Sequence, residues 1–90
     1  MNLRLYKWIS AGNKRRISLI KVMNKPLTPS MICRKAKQYN QMLNLNSTSD
    51  VLAEFREQGV AICLNPEDKM GRLYELTEEA KEVRELILEE

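Results

Sequence analysis

Val60-Ala61-Ile62-Cys63-Leu64 and Arg72-Leu73-Tyr74-Glu75-Leu76 are two short apolar-rich runs separated by Asn65-Pro66-Glu67-Asp68-Lys69-Met70-Gly71. Two such runs across a segment holding Asn, Pro, Asp and Gly predict a β-hairpin with a long tip. Alternation assigns Val60, Ile62 and Leu64 to one face of the first strand. Thr77 directly follows the second strand. It is the expected N-cap of a closing helix, with Glu78 and Glu79 in the first turn, where the helix dipole favours carboxylates. Ala80, Val83, Leu86 and Ile87 recur at helical spacing and form its apolar face.

Working upstream from the hairpin, residues 47–58 read as a helix whose core stripe is Thr48, Val51, Leu52 and Phe55. Gly59 closes it in the left-handed conformation. Residues 39–46 are rich in asparagine and read as a turn, with Leu43 and Leu45 directed inward. An earlier helix runs from Pro29 to about residue 38 or beyond. Thr28 is its cap and Pro29 occupies the first helical position, where no amide hydrogen is wasted. Ile32, Cys33 and Ala36 are its inner face; Arg34, Lys35 and Lys37 are its outer face. Residues 13–24 form another helix, with Asn13 as cap, Ile17, Leu19, Ile20 and Met23 as the buried stripe, and Lys14, Arg15 and Arg16 in the first turn. Three cations there oppose the helix dipole, which hints at a task such as phosphate contact. Residues 3–9 fit two patterns, since Leu3 and Leu5 alternate as in a strand whereas Leu5, Trp8 and Ile9 have helical spacing; a short helix ending near Gly12 is the expected reading.

The 90 residues suffice for a single domain, 1–90, with residues 1–12 as an N-terminal extension and residues 77–90 as a C-terminal helix. An apolar fraction of 43% with 30% charged residues is a globular composition. No apolar run approaches the ~20 residues that span a bilayer, and the N-terminus lacks a secretory signal's apolar core, so a cytoplasmic protein without membrane contact is expected. There is no histidine, no glycine-rich phosphate loop and no nucleophile beside an evident base, so no enzyme activity, cofactor, metal or small-molecule ligand is expected. Cys33 and Cys63 lack metal-site or CxxC spacing and read as reduced, buried or half-buried thiols.

The net charge of +3 conceals a division. Residues 1–49 carry ten Lys or Arg and no Asp or Glu, whereas residues 50–90 carry five basic and twelve acidic residues. The halves stand at +10 and −7, and the basic half suggests an acidic polymer as partner. The competing explanation is that the acidic closing helix folds back onto the basic helices.

The order helix, helix, turn, helix, hairpin, helix describes an α+β, mostly α chain: a winged helix-turn-helix with a three-helix core, a β-hairpin wing and a C-terminal helix. Four stretches in combination resemble archaeal winged helix-turn-helix regulators of the broad MarR/ArsR kind. They are Gly12-Asn13-Lys14-Arg15-Arg16, Lys25-Pro26-Leu27-Thr28-Pro29-Ser30, Glu57-Gln58-Gly59-Val60, and Cys63-Leu64-Asn65-Pro66 leading through Gly71-Arg72-Leu73-Tyr74-Glu75-Leu76-Thr77. The likeness runs from Trp8 onward. It implies a double-stranded DNA-binding transcriptional regulator, working as a homodimer, with the third core helix in the major groove and the wing near the minor groove. The stretch from Thr28 to Gly59 is several residues longer than such proteins use, which implies an extended second helix or an enlarged turn.

The residues that this reading assigns to DNA fall into three groups. Asn46 can pair its amide with adenine, and Ser47 and Ser49 can bond bases or phosphates. Thr28 and Ser30 offer the amides of a helix start to phosphate, with Lys14, Arg15, Arg16, Arg34 and Lys37 along the backbone track. Lys69 and Arg72 occupy the wing. Leu3, Tyr6, Trp8, Leu86 and Ile87 are the candidate dimer surface. Asp50 and Glu54 on the third helix oppose phosphate contact, so a winged-helix protein-interaction module that does not bind DNA specifically is the alternative.

Overall fold

The computed structural model describes residues 2–12 and 14–90. Among them are five helices and one antiparallel hairpin, an α+β and mostly helical architecture. The helices are α1 (Leu3–Ala11), α2 (Lys14–Val22), α3 (Pro29–Ala36), α4 (Leu45–Glu57) and α5 (Glu78–Glu89), with β1 (Ala61–Cys63) and β2 (Tyr74–Leu76) between the last two. Residues 3–11 are thus helical, and the helix ends at Gly12 as expected. The expected cap Asn13 lies outside the described residues.

Local side-chain chemistry sets most boundaries. Asn2 accepts from the Leu5 amide, Thr28 from Met31, and Thr77 from Ala80, each closing a helix start. At α4, Asn44 and Ser47 form a reciprocal capping box: the Ser47 amide donates to Asn44 Oδ1 at 2.8 Å and the Asn44 amide to Ser47 Oγ at 3.0 Å. This box starts the helix at Leu45, two residues ahead of the sequence expectation. α4 ends in the expected way, with Gly59 at φ 76°.

α2, α3 and α4 pack against one another, β1 lies on α4, and α5 closes over α1 and α2. Phe55, Leu5, Ile9, Leu19, Ile20, Ile32, Leu52, Val60 and Val83 are fully buried at the centre. The Trp8 ring meets Phe55 edge-on with centroids 5.9 Å apart. The hairpin pairs Ala61 with Leu76, Ile62 with Glu75, and Cys63 with Tyr74. Leu27 and Tyr74 exchange both backbone hydrogen bonds, so the segment before α3 is pinned to the outer edge of β2.

The structure decides which face of β1 turns inward and corrects three expectations. Ile62 and Leu64 share one face of β1, as the alternation indicates, and that face is exposed; the inward face is Ala61 with half-buried Cys63. Across the strand, Tyr74 and Leu76 take the core side, and cross-strand partners share a face. Val60 is buried because it precedes the strand, just after the Gly59 turn. Leu45 is half exposed, since Leu43 alone fills the core beneath the turn. α3 stops at Ala36, whose carbonyl accepts from the amides of Tyr39 and Asn40; the extra length is an enlarged turn over residues 37–44, not a longer helix. Within the expected dimer surface, Ile87 is buried and Tyr6 and Trp8 pack on the chain's own core, leaving Leu3 exposed and Leu86 half buried.

Both cysteines are free thiols, Cys33 buried and Cys63 half buried. Among the described residues no helix is long and apolar enough to cross a membrane.

Candidate nucleic-acid interface

The start of α3, one side of α4 and the hairpin tip enclose a groove of about 640 Å³. α4 contributes Leu45, Ser49, Ala53 and Arg56, whose 4-4-3 spacing places them on one stripe of the helix. α3 contributes Ser30 beside the capping Thr28, and the hairpin contributes Lys69, Met70, Arg72 and Tyr74. Three cations line this groove and, among the described residues, no carboxylate does.

The carboxylates of α4 are turned elsewhere. Asp50 and Glu54 each follow a groove residue by one position, a rotation of about 100° around the helix. Glu54 faces α2, where its Oε1 lies 3.7 Å from Arg16 Nε.

The hairpin tip is held by side chains. Asn65 Oδ1 accepts from the Leu73 amide at 2.7 Å, and its Nδ2 donates to Asp68 Oδ2 at 2.9 Å and to the Gly71 carbonyl at 3.1 Å. Arg72 Nε donates to the Asp68 carbonyl at 2.6 Å. Gly71 sits at φ 68°, a conformation that L side chains rarely adopt. The loop therefore presents Lys69 and Met70 to the groove from a braced support.

A second depression of about 330 Å³ adjoins the first, lined by Ser30, Cys33, Arg34, Lys37, Asn44 and Leu45. Leu45 and Ser30 belong to both. Arg34 and Lys37 thus extend the cationic rim around the start of α4.

Of the twelve residues assigned to DNA from sequence, Thr28, Ser30, Ser49, Lys69 and Arg72 meet in the groove, and Arg34 and Lys37 stand beside it. Asn46 is exposed on α4 but does not line the groove. Lys14 and Arg15 are exposed at the start of α2, also outside the groove lining. Two assignments are corrected. Ser47 is buried, because its hydroxyl and amide complete the capping box. Arg16 is turned inward, its Nη1 donating to the Trp8 carbonyl at 2.8 Å. Sequence reading missed Arg56. The signal was available, since Arg56 follows Ala53 by three and Ser49 by seven, the spacing of a single helical face.

None of the ten cations of the basic first half lines the main groove, and only Arg34 and Lys37 line the depression beside it. Arg4 bonds Gln58, and Lys21 lies 4.9 Å from the Tyr39 ring centre. The α5 residue Lys81 pairs with Glu75 and Glu78 from its own acidic half. A cation-lined groove of this kind can take a polyanion along its length, with apolar contacts on its floor. No protein-family model matches the chain, and no curated protein or solved structure matches it.

Proposed function

We propose that the chain is a winged helix-turn-helix regulator of transcription that binds double-stranded DNA as a homodimer. In this reading α3 and α4 are the helix-turn-helix and the β1–β2 hairpin is the wing. The observation that carries it is the groove between α4 and the hairpin, with Arg56, Lys69 and Arg72 on its walls and no carboxylate among the described residues lining it. A duplex seated there sets its phosphates against the cations on the groove walls and the start of α3, while the α4 stripe of Leu45, Ser49 and Ala53 between them faces base edges. Arg34 and Lys37 offer further phosphate contacts. Leu3 and Leu88, both exposed on the α1 and α5 side, supply apolar area for a second copy to cover.

Gel-shift titration against random duplexes at low and moderate salt tests the binding, because phosphate contacts make affinity fall steeply with salt. Absence of binding, or binding indifferent to salt, rejects the reading. Sedimentation of the free chain tests the dimer.

A second reading, a protein-interaction module, is favoured by Asp50, Glu54 and Glu57 on α4 and by exposed Met31 and Met42. Asp50→Asn separates the two: it raises DNA affinity under the first reading and weakens partner binding under the second.

A further inference from the structure

Leu45 is the first residue of α4 and stands 50% exposed, although its neighbour Leu43 is buried. A single exposed leucine is ordinary on a protein surface. This one lines both the main groove and the adjoining depression, with Arg34 and Lys37 to one side and Arg56, Lys69 and Arg72 to the other. The capping box fixes the backbone on either side of it. Further along the same stripe come Ser49 and Ala53, so the stretch of α4 between the cations offers a branched hydrocarbon, a small hydroxyl and a methyl.

The edges of base pairs in the major groove are donors and acceptors, with one apolar feature, the C5 methyl group of thymine. A leucine gains nothing from a purine edge and leaves its donors and acceptors unpaired. Against a thymine methyl it buries apolar surface on both sides. We infer that α4 selects its site through thymine, with Leu45 covering a C5 methyl group at the start of the helix. This rests on the proposed DNA binding and specifies how that site discriminates among duplexes. The adjacent Asn46, exposed on the same turn, suits an adenine, so the Leu45-Asn46 pair favours A·T-containing sequence.

The test begins with duplexes selected by the full chain from a random pool. Each thymine of the bound site is then replaced singly by uracil, which removes the methyl and keeps every hydrogen-bonding group. Burial of one methyl corresponds to about a fourfold change in affinity. One or two positions are expected to weaken by that factor. Leu45→Ala is expected to bind thymine and uracil equally there with an unchanged salt slope, and Leu45→Met to keep the preference. Uracil tolerated at every position, or a preference that survives in Leu45→Ala, overturns the inference while leaving DNA binding intact. Failure to retain any duplex removes the DNA-binding reading and this inference with it.

Discussion

The guanidinium carbon of Arg16 lies 3.8 Å from the centre of the Trp8 ring, and Arg16 Nη1 also donates to the Trp8 carbonyl. With its ion pair to Glu54, this side chain joins α1, α2 and α4 at one point. Gly12 makes the arrangement possible: a Cβ there would stand 2.0 Å from Arg16 Cδ. The Gly12 backbone, at φ −70° and ψ 154°, suits any residue, so glycine is required for space alone.

That geometry predicts a change of sign. Gly12→Ala displaces Arg16 and loses the ring contact and hydrogen bond, at a net cost of about 1 kcal/mol. Once Arg16→Ala has removed the obstruction, the same alanine only restricts the unfolded chain and stabilises by about 0.5 kcal/mol. Urea unfolding of the two single variants and the double variant reads this directly. Additive costs would show that Gly12 and Arg16 do not share the site described.

The second prediction concerns Thr48, which is fully buried in α4 with no hydrogen-bond partner for Oγ1 among the described residues. A buried hydroxyl without a partner carries a desolvation cost that folding never recovers. Valine has the same shape and a similar helix propensity. Thr48→Val is therefore expected to stabilise the fold by about 1 kcal/mol. A lower urea midpoint with unchanged slope would show that the hydroxyl is satisfied in solution.

Asn65 carries the third prediction. Its amide makes three contacts that brace the hairpin tip, to Leu73, Asp68 and Gly71. Asn65→Ala is expected to speed hydrogen exchange at the Leu73 amide while global stability falls by only about 1 kcal/mol. DNA affinity should fall as well, because Lys69 loses its fixed position. Unchanged protection at Leu73 would mean that the loop closes without Asn65.

These positions also mark where sequence reading succeeds and where it stops. The caps at Thr28 and Thr77, the turn at Gly59 and the stripe Thr48, Val51, Leu52 and Phe55 are local or periodic signals, and each is found in place. Alternation groups Ile62 with Leu64 but does not say which face of β1 is buried, because β2 decides it: Tyr74 and Leu76 claim the core side, and β1 follows their register. The start of α4 was misread because Asn44 and Ser47 both carry capping chemistry, and only their mutual bonding selects Asn44 as the cap. Arg16 looks like a surface cation in sequence, since nothing local reveals that Trp8 and Glu54 approach it. The groove gathers residues from α3, α4 and the hairpin, and no short window of sequence holds all three.

The fourth prediction separates groove cations from those engaged elsewhere. Each phosphate neutralised adds about 0.9 to the slope of log affinity against log salt. Arg56→Gln, Lys69→Gln and Lys37→Gln are each expected to lower that slope by about one such increment. Arg16→Gln should leave it unchanged, because Arg16 is occupied by Trp8 and Glu54. Arg72 differs from the other groove cations, since it also holds the Asp68 carbonyl. Arg72→Gln should lower the slope and also loosen the tip, so the two effects appear together in gel shift and in hydrogen exchange. If Arg16→Gln lowers the slope as much as Arg56→Gln, the phosphates run along α2 and the groove between α4 and the hairpin is not the track.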